Sequence, residues 1–203
     1  MTGSISIGIM ADSHGKPDTI AAAVDLFKSE KCPYIYHLGD ICDSGCPETA
    51  GQCVSIIKAN KVEAVKGNND HAISVNRPES ISDEIILYLN NLPLVISYRK
   101  ALFAHSLPFA EMLGLSCMIR GMGEDEAALF FKEYPGKILF RGHSHSPEII
   151  SRESGKMVVR SILPGENTEL AGRIPCVITC GSLASGYCMI WKPGEKSVKC
   201  YLI

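Results

Sequence analysis

Residues 5–14 read ISIGIMADSH, an isoleucine-rich apolar run that ends directly in Asp12 and His14. Short runs of this kind, bounded by small polar residues, are typical of buried strands. The arrangement recurs four more times: YIYHLGD at 34–40, VEAVKGNND at 62–70, KALFAH at 100–105 and KILFRGHSH at 137–145. Each predicted strand is thus followed by Asp, Asn or His, and this repetition is the strongest pattern in the chain.

Helical segments separate several of these strands. We predict helices at 17–29, which starts at a Pro-Asp pair, at 48–59, and at 123–134, which stops before a proline. Strands that alternate with helices favour a largely parallel sheet, in which reactive groups collect beyond the carboxyl ends of the strands. We therefore expect all five polar clusters to meet at one place.

The last quarter of the sequence has a different character. Residues 148–203 contain five short strand-like runs (EIIS, MVVRSI, CVITC, YCMIW and VKCYL) separated by Gly and Pro, and no convincing helix. This pattern predicts a second sheet within the same domain.

The segment 106–122 is apolar but irregular, and three interpretations stay open: a cap over the site, an interface, or an undetected helix. As a cap or a dimer contact, it would expose Phe109, Met112 and Leu113 near the mouth of the site.

The composition of the chain limits the number of domains, the classes of partner and the cellular location that we expect. A chain of 203 residues, 46% of them hydrophobic, can form one sizeable core, so we expect a single domain over 1–203. The net charge is −2 and basic residues are scattered, which argues against long nucleic acids as partners. No apolar run is long enough to cross a bilayer, so we expect no membrane association and a cytoplasmic protein. The nine cysteines include no CxxC pair, and we expect reduced, buried thiols.

Two motifs place ligand-type side chains two residues apart. In an extended backbone, residues i and i+2 point to the same side, so the pairs Asp12 with His14 and His143 with His145 could each present two ligands to one point. Carboxylate and neutral imidazole, without cysteine, suit divalent ions such as Mn, Fe, Co, Ni or Zn.

Taken in order, these motifs resemble those of the calcineurin-like metallophosphoesterases. The resemblance rests on Asp-x-His, Gly-Asp, Gly-Asn-x-Asp, a strand-end His and Gly-His-x-His, and it spans residues 5–147. It implies an α/β fold in a four-layer αββα sandwich, with two mixed sheets flanked by helices and a metal site at the carboxyl ends of the strands. It also implies seven ligands: one ion on Asp12, His14 and His145, a second on Asn68, His105 and His143, and Asp40 bridging the two.

The resemblance further implies a binuclear, metal-dependent phosphoesterase. The interpretation we favour is a phosphodiesterase that hydrolyses small phosphodiesters with water activated by two metal ions. One alternative is a nucleotide or diadenosine-polyphosphate hydrolase of the same family. Another is a non-catalytic scaffold with a vestigial metal site. A small phosphoester is the expected partner, and homo-oligomerisation stays open.

Residues 69–71 are the candidates for direct catalytic roles. Many family members carry Gly-Asn-His where this chain has Gly67, Asn68 and Asn69, and that His is the proposed proton donor to the leaving group. Asn69 cannot supply a proton in this way, and His71, two residues later, could substitute for it. We expect Asp70 to orient a ligand or the loop.

Overall fold

The computed structural model describes residues 5–203, which fold into two six-stranded sheets with helices on their outer faces. The first four residues of the predicted domain lie outside this range. Strands and helices alternate in the first part of the described chain, which contains three strands and four helices. These elements are β1 (Ile7–Met10), α1 (Pro17–Ser29), β2 (Tyr34–His37), α2 (Ala50–Ala59), β3 (Glu63–Ala64), α3 (Asn68–Asn76) and α4 (Asp83–Asn90).

The second part of the chain supplies the remaining strands and two helices. These elements are β4 (Val95–Tyr98), β5 (Ala101–Ala104), α5 (Ala110–Leu113), α6 (Glu124–Glu133), β6 (Ile138–Arg141), β7 (Glu148–Glu153), β8 (Lys156–Ser161), β9 (Asn167–Glu169), β10 (Cys176–Thr179), β11 (Tyr187–Lys192) and β12 (Ser197–Leu202). All the strand-like runs quoted above therefore contain strands, although most strands are shorter than the runs.

Both sheets are mixed. The first has the order β3-β2-β1-β11-β12-β9, with β1, β2 and β3 parallel and β11 antiparallel to β1. The second has the order β4-β5-β6-β10-β7-β8, with β5, β6 and β10 parallel. The five ligand-bearing strands thus divide into three in the first sheet and two in the second, rather than lying in one sheet.

The predicted second sheet is present in the same domain, but the C-terminal strands are divided between both sheets. Strands β9, β11 and β12 extend the first sheet beyond β1, whereas β7, β8 and β10 extend the second beyond β6. The physical reason is that β1 and β6 would otherwise leave a row of unpaired backbone groups along one edge. The C-terminal strands pair with both edges and so complete both sheets.

Three apolar clusters separate the layers. Side chains of α1, α2, α3 and α4 pack against the outer face of the first sheet. The inner faces meet in a second cluster that includes Ile7, Ile9, Ala101, Phe103 and Trp191. Helix α6 packs against the outer face of the second sheet, where Leu102 and Ala104 alternate with the inward-facing residues of β5. This confirms the four-layer αββα arrangement.

The predicted helices agree closely with the structure. The prediction at 17–29 matches α1, and α6 lies within 123–134. The predicted helix at 48–59 begins only at Ala50, because residues Pro47–Thr49 form a 3₁₀ turn. Helices α3 and α4 were not predicted. Of the nine cysteines, eight are buried as expected, and Cys46 is exposed.

The segment 106–122 contains a short helix, α5, followed by a 3₁₀ turn over Gly114–Met118. The expected exposure is correct for Met112, whose side chain is 66% exposed. It is only partly correct for Leu113, which is partly buried. It is wrong for Phe109, whose ring is buried against α6 and lies 6.4 Å from that of Tyr134. Within residues 5–203, no helix combines the length and apolar character needed to cross a bilayer.

Candidate metal centre

The loops that follow β1, β2, β5 and β6, together with the start of α3, bring the seven predicted ligands together. Across the two sheets, Nε2 of His14 lies 3.1 Å from Nε2 of His145. On the other side of the cluster, Nε2 of His105 lies 3.0 Å from Oδ1 of Asn68 and 3.2 Å from Nδ1 of His143. Five of the seven side chains, all except Asp12 and Asp40, therefore have a nitrogen or oxygen atom within 3.2 Å of such an atom in another member of the set.

The two carboxylates lie between these groups. Oδ2 of Asp40 is 3.6 Å from Nε2 of His105, and Oδ1 of Asp12 is 3.7 Å from Nε2 of His145. Two sets have donor atoms that all lie within 4.8 Å of one another, Asp12 with His14 and His145, and Asp12 with Asp40 and His105. Each set could hold a cation, and Asp12 belongs to both.

The electrostatics of the cluster also suit a cation. Oδ1 of Asp12 is buried and has no hydrogen-bond partner among the described residues, a state that costs about 1–3 kcal/mol. Burial, and then repulsion by Asp40, raise the pKa of Asp12 well above its usual value. A bound cation would remove both penalties, because it would neutralise the paired carboxylates and contact the unsatisfied oxygen.

Burial favours the neutral form of three of the predicted histidine ligands, which is the form that binds metals. Burial lowers the pKa of His105 to about 4, and burial is also the largest cause that lowers the pKa values of His143 and His145. Neutral imidazole, with a free lone pair, is the species that binds transition metals. The residues present therefore fit a divalent transition-metal site.

Backbone conformation shows why these side chains converge, and it corrects the reasoning from extended geometry. Asp12, His14, Asp40, His143 and His145 all have positive φ, between 44° and 68°, so none of them continues its strand. A non-glycine residue in this region costs on the order of 1–3 kcal/mol, and five of the eleven such residues in the described structure lie in this cluster. Asp12 and His14 do come together, but through strained loops rather than through a pleated strand, whereas His143 lies against His105 and His145 against His14.

Hydrogen bonds hold these loops against one another. The amides of Asp12 and His14 donate to the carbonyls of Gly39 and Asp40, at 3.0 and 3.1 Å. The amide of His143 donates to Oδ2 of Asp12 at 2.9 Å and links the two sheets. The strained conformations are thus imposed by contacts between loops.

Two glycines permit the close approach of these loops. A Cβ on Gly67 would lie 2.1 Å from the amide nitrogen of Asp40, and a Cβ on Gly142 would lie 2.5 Å from Oδ2 of Asp12. A side chain at Gly67 would require the backbone of Asp40 to move, and one at Gly142 would require the carboxylate of Asp12 to move. The role of these glycines is to let backbone lie against the two carboxylates.

Asn69 makes contacts that its sequence position did not predict. Its amide nitrogen donates to Oδ1 of Asp40 at 2.8 Å, and its side-chain Nδ2 donates to Oδ2 of the same carboxylate at 2.7 Å. Its Oδ1 accepts from the backbone amide and the hydroxyl of Ser44, at 3.2 and 2.6 Å. Asn69 therefore fixes the orientation of Asp40, and both Oδ1 and Nδ2 of its side chain are hydrogen-bonded.

The other two catalytic candidates lie in different surroundings. Asp70 is fully buried, and its carboxylate accepts from the backbone amides of Gly67 and Cys42 at 3.0 and 3.1 Å. These contacts favour the expected role of holding the loop. His71 is partly exposed in the first turn of α3, and its Nδ1 is buried with no partner among the residues that the structure describes.

Reasoning from the sequence missed a buried arginine. Arg141 ends β6 and has no exposed surface. Its guanidinium donates to the carbonyl and hydroxyl of Ser106 at 3.2 and 3.1 Å, and to the hydroxyls of Ser144 and Thr179 at 2.8 and 3.0 Å. It thereby ties the residue after His105 to the loop of His143 and His145. The sequence does contain a signal that could have identified Arg141, because it is a charged residue in an otherwise apolar strand.

Two further buried groups support the loop that follows β1. Nε2 of His37 lies 2.9 Å from the hydroxyl of Ser13, and burial lowers the pKa of His37 to about 3, so the ring is neutral. The hydroxyl of Ser182 donates to the carbonyl of Asp12 at 2.9 Å. These contacts explain how a residue far along the chain stabilises the Asp12 turn.

Comparison with known proteins gives a family and a fold. A family model described as the calcineurin-like phosphoesterase superfamily domain matches residues 5–182. An uncharacterized protein of Methanocaldococcus jannaschii is 22% identical over an alignment of 178 residues, and the match covers 75% of this chain and 67% of the relative. The crystal structure of a metallophosphoesterase from Sphaerobacter thermophilus is similar with a TM-score of 0.74 and 20% identity, covering 99% of this chain and 89% of that one. A structure described as a novel archaeal phosphodiesterase has a TM-score of 0.54 and 15% identity, covering 98% of this chain and 100% of that one.

Proposed function

Because the chain belongs to the calcineurin-like phosphoesterase superfamily, we propose that it is a metal-dependent phosphodiesterase that acts on small phosphodiesters at the seven-residue cluster. The observation that carries the proposal is the convergence of Asp, Asn and His side chains from the ends of strands in both sheets. Five of these residues adopt positive φ. Backbone strain concentrated in this way is typical of functional sites.

The donor set divides into two halves. Asp12, His14 and His145 would hold one ion, Asn68, His105 and His143 the other, with Asp40 between them. The ions would be divalent transition metals such as Mn, Fe, Zn, Ni or Co, which combined imidazole and oxygen ligands suit. Two such ions supply Lewis-acid polarisation of a phosphoryl oxygen and lower the pKa of bound water.

The protein's own contribution is orientation. Asn69 holds both oxygens of Asp40, the His143 amide holds Asp12, and the carbonyl of Leu38 lies 2.8 Å from Nδ1 of His105. A neutral His105 donates that Nδ1 proton to Leu38, which directs its Nε2 lone pair into the cluster. These hydrogen bonds hold the proposed ligand side chains in position before any substrate binds.

Charge near the site favours a diester over a monoester. Arg141 is the buried cation next to the cluster, and all its hydrogen bonds in the described structure go to Ser106, Ser144 and Thr179. It is therefore engaged and does not form a fork for a phosphate dianion. Compensation of the extra negative charge of a monoester would therefore fall to the two proposed ions without help from Arg141, and this supports the singly charged diester.

The test is hydrolysis by the full chain reconstituted with Mn²⁺. We expect kcat/KM for bis(p-nitrophenyl) phosphate to exceed that for p-nitrophenyl phosphate by at least ~10-fold, about 1.4 kcal/mol in the transition state. Excess chelator should abolish both activities. Faster turnover of diadenosine tetraphosphate than of the diester would favour the polyphosphate alternative. Metal binding without turnover of any of the three would favour the scaffold.

A further inference from the structure

A cavity of about 320 Å³ is lined by residues of both sheets, and we refer to it as the basal cavity. Lys100 and Ile138 line it where β5 and β6 begin, and Trp191 of β11 lines it opposite Ile7, at the start of β1. The strands that lead to the metal centre thus begin at this cavity. At about 3.3 Å per residue, the chain from Lys100 to His105 spans about 16 Å, so the two sites are separate.

Much of the wall of the basal cavity is apolar. Ile138, Leu170 and Trp191 are at most 2% exposed and belong to the cluster between the sheets, against which Ile174 also packs. The volume lies at the lower end of the range for small-molecule sites, roughly 300–1,000 Å³. The cavity is therefore large enough for a small organic molecule with an apolar body.

Three cationic residues complete the lining of the basal cavity, and they are Arg99, Lys100 and Lys196. All three are exposed, and none of them forms a salt bridge within the described structure. No Asp or Glu is among the lining residues that the structure describes. The charge around the cavity therefore complements an anion.

Trp191 adds an independent observation, because it has a donor without a partner. Its Nε1 atom is buried and makes no hydrogen bond to any described residue. A buried donor that is left unpaired is costly, and a ligand that brings an acceptor to this ring would remove that cost. The oxygen atoms of a carboxylate or sulfonate are acceptors of this kind.

We propose that the basal cavity is a second binding site, which takes a small amphipathic anion: a ring system or short alkyl chain that carries a carboxylate or sulfonate. The apolar body contacts the buried wall, and the anionic group lies beside the three cationic residues. A free inorganic anion would leave the apolar wall in contact with water, and an uncharged ligand would leave the cations without a counter-charge. The site is independent of the proposed hydrolysis, because none of the seven proposed metal ligands lines it.

The single tryptophan of the chain makes this site observable, because Trp191 lines the cavity. The probe is 8-anilinonaphthalene-1-sulfonate, an aromatic sulfonate that fluoresces in apolar surroundings and accepts excitation energy from tryptophan. We expect about one molecule of the probe to bind each folded full-length chain and to quench Trp191, and we expect decanoate to displace it. The affinity should be the same with and without Mn²⁺.

The double variant Lys100→Gln/Lys196→Gln localises the probe. Loss of two exposed charge contacts should weaken binding of the sulfonate about fivefold. Binding of N-phenyl-1-naphthylamine, which lacks the sulfonate, should stay within about twofold. The matched control is Lys28→Gln/Lys61→Gln, which alters two exposed lysines outside the cavity and lowers the net charge equally. Lys61 has a φ of 53°, close to the 50° of Lys196. The control should change neither affinity.

Four results would overturn the inference. The first is failure of the sulfonate to quench Trp191 in the folded chain. The second is an equal loss of sulfonate affinity in the double variant and in its control, which indicates general attraction by positive charge. The third is an equal loss of both probes in the double variant, because the anionic group would then have no role in recognition. The fourth is a dimer that excludes the probe as protein concentration rises, which would make the cavity an interface between two copies.

Discussion

Replacement of His143 with alanine is expected to reduce kcat/KM for bis(p-nitrophenyl) phosphate by about 10³-fold or more, and Asp40→Ala by a similar factor. Lewis-acid stabilisation by a metal is worth several kcal/mol, and about 4 kcal/mol corresponds to a factor of 10³. In the structure, Nδ1 of His143 lies 3.2 Å from Nε2 of His105, and Oδ2 of Asp40 lies 3.6 Å from the same Nε2 atom. The measurement is steady-state hydrolysis at saturating Mn²⁺, with unfolding curves to verify that each variant folds.

Two control substitutions complete this experiment. Asp25→Ala removes an exposed carboxylate from α1, and Cys42→Ala shortens a side chain in the cluster beneath the helices. Both should retain activity within about threefold, because neither residue belongs to the proposed ligand set. Equal losses in Asp40→Ala, His143→Ala and Cys42→Ala would show that the ligand assignment does not determine activity.

The second large effect concerns the leaving group. Asn69 cannot act as a general acid, and absence of that assistance costs about 10²–10⁴ in rate when the leaving group is poor. Leaving groups that depart as stable anions lose little. We therefore expect kcat/KM to fall steeply as leaving-group pKa rises across a series of diesters, with aryl esters far ahead of alkyl ones.

The hydrogen bonds of Asn69 determine what effect the substitution Asn69→His should have. Asn69→His would introduce an imidazole at the leaving-group position, but it would also remove the hydrogen bond from Nδ2 to Asp40. Loss of such an orienting partner typically costs 10–100-fold in metal affinity. We therefore expect Asn69→His to need more Mn²⁺ for full activity and, at saturating metal, to improve alkyl esters selectively.

His71→Ala distinguishes the remaining possibility. If the dependence on leaving-group pKa is flat in the wild type and becomes steep in His71→Ala, then His71 supplies the proton and the interpretation of Asn69 is wrong. If it is steep in both proteins, His71 has no such role. Its ring is partly exposed at the start of α3, so the substitution should disturb the fold little.

The sequence, through its resemblance to the family, predicted the four-layer fold and the ends of the strands that carry the proposed ligands, but not which sheet each C-terminal strand joins. Each ligand follows an apolar run directly, so the ends of β1, β2, β3, β5 and β6 could be located from local pattern alone. The pairing of the C-terminal strands could not be predicted, because β10 and β11 have equally apolar sequences. Which sheet each strand joins depends on which sheet edges lack a partner strand. Sheet membership is a tertiary property that strand pattern does not encode.

Local geometry at the ligands was also beyond sequence reasoning. The i, i+2 spacing of Asp12 and His14 indicated extended chain, yet both residues have positive φ, imposed by hydrogen bonds from the loop after β2. Helix α3 was missed because it starts within a ligand motif and carries polar residues on several faces. Phe109 was expected at the surface, but its exposure depends on the position of α6, which the segment itself does not specify.

Metal stoichiometry tests the central claim most directly. The full chain, stripped with chelator, reconstituted with Mn²⁺ or Zn²⁺ and freed of excess ion, should contain close to two metal ions per chain by elemental analysis, in keeping with the two halves of the ligand set. Protein that stays folded and retains none of Mn, Zn, Fe or Ni after reconstitution would contradict the ligand assignment and the phosphodiesterase built on it.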